Sequence, residues 1–178
     1  MRTTVVGITA LLACTSLCAG DIIDTVEIGE GFYTSTIQID FANGNGYLFD
    51  VHWQDGGTTG WDLLLAIVEE SDDVSLDYGV SEWGVFLQGI EVFEDSDWGV
   101  GAGWPEVEDY WHYWQRESSS ESWEFSSIGA DVRQVSDGSW DGWVFLSPGE
   151  PQSVPSPGVL ALLGVGGLFR NRRSRHSS

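Results

Sequence analysis

Three aromatic side chains in one short run, Trp111, Tyr113 and Trp114, are the residues whose type and spacing most invite a chemical role. Their flat faces suit stacking against a sugar ring or another planar ligand. In an extended segment over 110–115, Tyr110, His112 and Trp114 share one face while Trp111 and Tyr113 share the other. One set can then enter a core while the other meets solvent, and a solvent-facing aromatic set would need a partner to explain it. Packing of both sets as core is the competing expectation.

Nucleophile and base chemistry finds no comparable constellation. Lysine is absent, both cysteines (Cys14 and Cys18) fall near the N-terminus, and no G-x-S-x-G motif occurs. His52 and His112 lie sixty residues apart, and His52 reads as a solvated or hydrogen-bonded imidazole. Carboxylates are so abundant that no pair of them stands out as an acid and base. We therefore expect a non-catalytic protein with no cofactor. Asp95-Ser96-Asp97-Trp98-Gly99 has the opening of a Ca²⁺ loop but lacks the full spacing and the distal bidentate Glu, so the sequence predicts an acidic linker there and no metal site.

The elements that must position these residues read as α+β. Ile37, Ile39 and Phe41 alternate with Gln38 and Asp40, and Tyr47, Phe49, Val51 and Trp53 alternate with Leu48, Asp50 and His52. Asn43-Gly44-Asn45-Gly46 between them supplies the turn, so a β-hairpin is predicted with its Tyr/Phe/Val/Trp face in the core. Thr59 and Asp62 make a capping-box pattern ahead of Trp61, Leu64, Leu65 and Val68, whose spacing predicts one amphipathic helix over about 59–70. Glu69-Glu70-Ser71-Asp72-Asp73 opposes the helix dipole and marks a solvated exit. Further strands are predicted over 84–90, 110–115 and 142–146, the last entered through the Ser136-Asp137-Gly138-Ser139 turn. The expected architecture is a mixed, mainly antiparallel sheet covered by one helix.

Charge bounds the partners. All 28 acidic residues fall in 21–153, against Arg116 and Arg133 alone, leaving that segment at a formal −26. Such a surface repels nucleic acid and anionic lipid, and excludes both as partners of the domain. It suits a saline exterior, or else supplies Ca²⁺ ligands; the sequence leaves both open.

The two ends carry address information. Met1-Arg2, the apolar stretch from Val5 to Ala13 and the small residues Cys18-Ala19-Gly20 predict a secretory signal peptide over 1–20, with Leu11-Leu12-Ala13-Cys14 as an alternative lipoprotein site. At the other end, Val154-Pro155-Ser156-Pro157 precedes 12 apolar or Gly residues and then Arg170, Arg172, Arg173 and Arg175. As a helix the apolar run would rise about 18 Å against a hydrocarbon core of about 30 Å, a marginal span that fits temporary anchoring. The arginines would stay cytoplasmic and leave 21–153 outside.

The tail resembles the PEP-CTERM sorting signal of exported bacterial proteins: the Val154-Pro155-Ser156-Pro157 motif, the Leu160-Ala161-Leu162-Leu163-Gly164 run and the Arg cluster carry the likeness, with Ser156 at the family's central Glu. The resemblance implies recognition by an exosortase-type membrane protease after passage through the secretion machinery and signal peptidase. It also implies transient residence in the inner membrane, then a place at the cell surface or in an exopolysaccharide layer. The chain thus divides into 1–20, an acidic Trp-rich exported domain 21–153, and a sorting segment 154–178 ending in a short hydrophobic helix and the Arg cluster.

Within the domain, Leu63-Leu64-Leu65-Ala66-Ile67, Gly84-Val85-Phe86-Leu87-Gln88-Gly89-Ile90, Tyr110-Trp111-His112-Tyr113-Trp114 and Gly142-Trp143-Val144-Phe145 stand in an order that resembles the β-grasp-like C-terminal module of transcobalamins, also found in bacterial surface proteins. The resemblance implies a β-grasp-like fold. Its corrinoid site needs a partner domain that this chain lacks, so a corrinoid-like or glycan ligand on exposed aromatics is what it implies for binding.

Overall fold

The computed structural model describes residues 21–154, and everything below concerns those residues. The signal peptide expected over 1–20, and all but the first residue of the sorting segment expected over 154–178, lie outside them. Among the described residues no helix is long and apolar enough to cross a membrane.

The hairpin forms as the alternation predicts, and it is longer at its start. Strands β2 (Tyr33–Asp40) and β3 (Asn45–Trp53) pair antiparallel with Ile37 opposite Phe49 and Ile39 opposite Tyr47. Gly44 takes φ +94°, a left-handed conformation that suits glycine, and its amide donates to the Phe41 carbonyl to close the turn. A strand absent from the sequence reading, β1 (Asp21–Ile28), runs parallel to β3 on its outer edge. Its acidic residues Asp21, Asp24 and Glu27 obscure the alternation, and it becomes a strand through pairing.

Helix α1 (Gly60–Glu70) starts at Thr59, whose hydroxyl accepts from the Asp62 amide while the Asp62 carboxylate accepts from Thr59, the reciprocal capping box. Its buried face differs from the predicted stripe. Trp61, Leu63, Leu64 and Ile67 are buried, whereas Leu65 and Val68 are only half-buried. The reason is that α1 is covered on two sides, by the main sheet and by a second sheet, so its dry face is broader and rotated. The helix exit is solvated as its charge suggests, with Glu69, Glu70, Asp72 and Asp73 exposed, and Glu70 accepts from the Gly29 amide at 2.9 Å.

That second sheet is the main departure from expectation. It comprises β4 (Val74–Ser81), β5 (Gly84–Val92) and β6 (Asp95–Trp98), all antiparallel. Residues 95–98, predicted as a linker, are thus an edge strand. They are held there by Asp95, which accepts from Asn43 at 2.7 Å, Asn45 at 2.8 Å and Tyr47 at 2.6 Å, tying the edge to the hairpin turn. Burial pushes the Asp95 carboxyl up, but these three hydrogen bonds outweigh it and hold the group below its ordinary value. Burial and Asp95 together push the Tyr47 hydroxyl up to about 12.

The main sheet continues through β7 (Trp111–Arg116), the short β8 (Glu124–Phe125) and β9 (Trp140–Phe145), in the order β1-β3-β2-β9-β7-β8. β9 runs parallel to β2 and antiparallel to β7. The protein is therefore α+β, with two sheets, mostly antiparallel, and one helix. The core lies between the inner face of the main sheet (Ile37, Ile39, Phe49, Trp143), the helix (Leu64, Ile67) and the second sheet (Leu87, Ile90, Val92).

Candidate functional site

Strand β7 places the aromatic residues singled out from the sequence, and places most of them out of reach. Trp111 and Tyr113 are 5% and 8% exposed. Trp111 meets Phe41 edge-on and lies 5.1 Å from Phe145, and Tyr113 stacks on Trp143 at 4.6 Å. Both rings are core, so of the two readings of this run core packing holds for Trp111 and Tyr113, and a ligand-stacking surface of Trp111, Tyr113 and Trp114 does not form. The physical reason is that β7 sits between β9 and β8 with its Trp111/Tyr113 face turned to the core. Trp114 points to the opposite face, half-buried and edge-on to Phe125. His112 shares that face and is 2% exposed against Tyr110 at 4.3 Å. Glu108 lies 3.1 Å from its Nε2 but off the line of a hydrogen bond. His52, by contrast, is half-buried and paired on both nitrogens, with Thr34 at 3.0 Å and Glu27 at 2.7 Å.

Beneath β7 a polar cluster occupies the core. Asp141 accepts from the Tyr113 hydroxyl at 2.6 Å and from Arg133 Nε at 2.8 Å, while Arg133 also reaches Glu117 at 3.1 Å. The Arg133 pKa moves up, because the carboxylates of Asp141 and Glu117 outweigh the burial that would lower it. The Tyr113 hydroxyl is also pushed up, by burial and by Asp141. Every oxygen of Asp141 is satisfied, and α1 begins directly over it. Asp141 and Tyr113 are enclosed in the core while Glu117 stays exposed and Arg133 Nη2 has no hydrogen-bond partner, so the cluster ties β7 and β9 to the segment that carries Arg133.

A space that could hold a ligand is on the other face of the main sheet. There a cleft of about 730 Å³ opens between the end of β7, the 117–123 loop and the chain segment after β9. Arg116 is its centre. The guanidinium carbon sits 4.2 Å from the ring centroids of both Trp123 and Trp140, whose planes meet at 75°. Two cation–π contacts therefore fix the side chain in an aromatic corner. Burial lowers the Arg116 pKa and Glu150 partly restores it, and the group remains a cation. Its Nε is buried without a partner, and Nη1 makes only long contacts to the Ser119 and Glu121 carbonyls at 3.3 and 3.5 Å.

Residues 150–154 form the cleft's other wall, and a clamp holds them. Asp40 accepts from the Gln152 amide at 2.7 Å and from its side chain at 2.9 Å, while Gln38 donates to the Gln152 carbonyl at 2.9 Å. Pro151 is buried over Gly142, where a Cβ would come within 2.5 Å of the Pro151 ring. Burial raises the Asp40 pKa, and the hydrogen bonds from Gln152 and Gln38 offset it only in part. Gln38 and Asp40, which the alternation places opposite Ile37, Ile39 and Phe41, are therefore covered by the segment that follows β9.

Sequence reasoning passed over Arg116, Trp123 and Trp140 as a group. The available signal was composition: Arg116 is one of two cations in a segment with 28 carboxylates, and Trp123 and Trp140 flank it in a Trp-rich region. Away from the cleft, the exposed indole of Trp98 lies over Gly89 on the outer face of the small sheet with its Nε1 donating to Asp77 at 2.9 Å. Among the described residues no group of three or more His, Cys, Asp or Glu is placed to hold a metal ion.

No protein-family model matches this chain, and no curated protein matches it in sequence. Among solved structures, the chain is similar to one described as a putative metal binding protein from Ruminococcus gnavus ATCC 29149, at 19% identity and a TM-score of 0.41, over 67% of this chain and 100% of that one. A likeness that loose carries no argument about the site.

Proposed function

We infer that this is an exported, non-catalytic protein of the cell surface or extracellular matrix, sorted by its PEP-CTERM-like tail. One observation carries the reading. The folded domain closes on the Gln152 clamp, two residues before Val154, the first residue of the Val154-Pro155-Ser156-Pro157 motif. A processing enzyme would thus meet its motif at the end of a finished domain. An exosortase-type membrane protease, reached through the secretion machinery and signal peptidase, is the partner this implies. The Arg170, Arg172, Arg173 and Arg175 cluster would hold the tail at the inner membrane until it is cut. A β-grasp-like assignment, as in the transcobalamin-like module, is supported by the strand order β3-β2-β9-β7, in which hairpin, helix and a return strand parallel to β2 follow one another.

The test is expression of the full chain in a bacterium with and without an exosortase. We expect mass spectrometry to find the mature protein cut within or near 154–157 only where the enzyme is present, and Pro155→Ala/Pro157→Ala to block the cut. A mature protein that keeps Arg170 to Arg175 in both hosts would sink the sorting reading. A second reading, a small-ligand-binding module, is favoured by the Arg116 cleft and is developed next.

A further inference from the structure

The Arg116 cleft has the size and the chemistry of a binding site that sorting alone leaves unused. Its volume falls within the few hundred to a thousand Å³ of ordinary small-ligand sites. Hydroxyls of Thr25, Ser122 and Ser153 and the carboxylates of Glu121 and Glu150 line it beside the indoles of Trp123 and Trp140. Arg116 is held rigid by those indoles with its buried Nε–H unclaimed. The buried Nε is out of a ligand's reach, but Nη1, with only its long contacts to the Ser119 and Glu121 carbonyls, is a pre-positioned donor that a ligand acceptor would complete.

Charge decides the class of ligand. Two carboxylates against one guanidinium leave the cleft net negative, inside a domain at −26. Phosphates, nucleotides and uronate polymers would be repelled, and a cation would have to sit beside Arg116. A neutral polyhydroxylated ligand escapes both penalties. Its hydroxyls donate to Glu121 and Glu150 and accept from Arg116 and the serines, while its C–H faces pack against exposed parts of the indoles. We propose that the cleft between the Arg116–Trp123–Trp140 corner and residues 150–154 binds a neutral saccharide. The site stands on this geometry, and rests on the surface-protein reading only for where such a saccharide would be met. Because Gln152 is part of the wall, the Asp40 clamp positions the site as well as the tail.

Isothermal titration of the purified full chain tests this, with cello-, malto- and manno-oligosaccharides of two to six units and with polygalacturonate. At least one neutral series should bind saturably, in the micromolar to millimolar range, and polygalacturonate should give no heat. Trp140→Ala and Arg116→Ala should each weaken binding by roughly tenfold or more. Glu150→Gln, which keeps the shape and guards against a folding defect, should weaken it several-fold, whereas Trp98→Ala should leave it unchanged. Binding to none of the neutral series, preference for polygalacturonate, or loss through Trp98→Ala with Trp140→Ala intact would overturn the proposal. A chain that is exported and cut but binds none of these sugars loses this inference alone; one that binds them yet keeps its tail loses the sorting reading alone.

Discussion

Arg133 and Asp141 show what a buried charge does in this molecule. Arg133 Nε donates to the Asp141 carboxylate inside the core, so removing the guanidinium strands that carboxylate. Arg133→Ala should therefore lower the unfolding free energy by about 3–5 kcal/mol, read as a drop in the urea midpoint at constant slope. Asp40 makes a different prediction because its pKa is raised by burial. A carboxyl that binds its proton more tightly folded than unfolded favours the fold below about pH 4, and that contribution is lost as pH rises through the folded value. The urea midpoint of the wild type relative to Asp40→Asn should accordingly fall between pH 3.5 and 7. A difference that stays flat across that range would mean that Asp40 titrates alike in both states.

At the scale of elements, α1 and the strands around it constrain one another. Gly60 is the first residue of the helix, where alanine would ordinarily be preferred by up to about 1 kcal/mol. Here a Cβ would overlap the Asp141 carboxylate and the Tyr113 hydroxyl. Gly60→Ala should therefore destabilise the protein, and thermal melting should show a lower Tm. Local signals in the sequence reached this element well. The capping box of Thr59 and Asp62 and the Asn43-Gly44 turn are short-range patterns, and both form where expected. β1 and β6 were illegible because their acidic residues mask the alternation, and distant partners, β3 and the Asn43/Asn45/Tyr47 cluster, make them strands. The Arg116 cleft was illegible for the same reason, being assembled from residues 25, 116–123, 140 and 150–154.

The whole molecule is governed by its charge. At −26 the domain repels itself, and the core must outweigh that repulsion. Added salt shortens the screening length from about 30 Å at 0.01 M to about 3 Å at 1 M, so Tm should climb with NaCl over this range. A Tm indifferent to salt would show that the carboxylates lie too far apart, or too well solvated, to interact.

Composition and local pattern were enough to determine the acidity, the hairpin, the helix with its cap, and the absence of a nucleophile motif, because each depends on residues near one another in the chain. Tertiary structure alone decided that Trp111 and Tyr113 face inward. Alternation separates two faces of a strand without saying which is covered, and the answer came from the helix and second sheet packed over β7's inner side. It also decided that Asp40 holds Gln152 across 112 residues, and that Arg116 meets two indoles in a corner. Contacts of that range exist only once the chain has closed on itself.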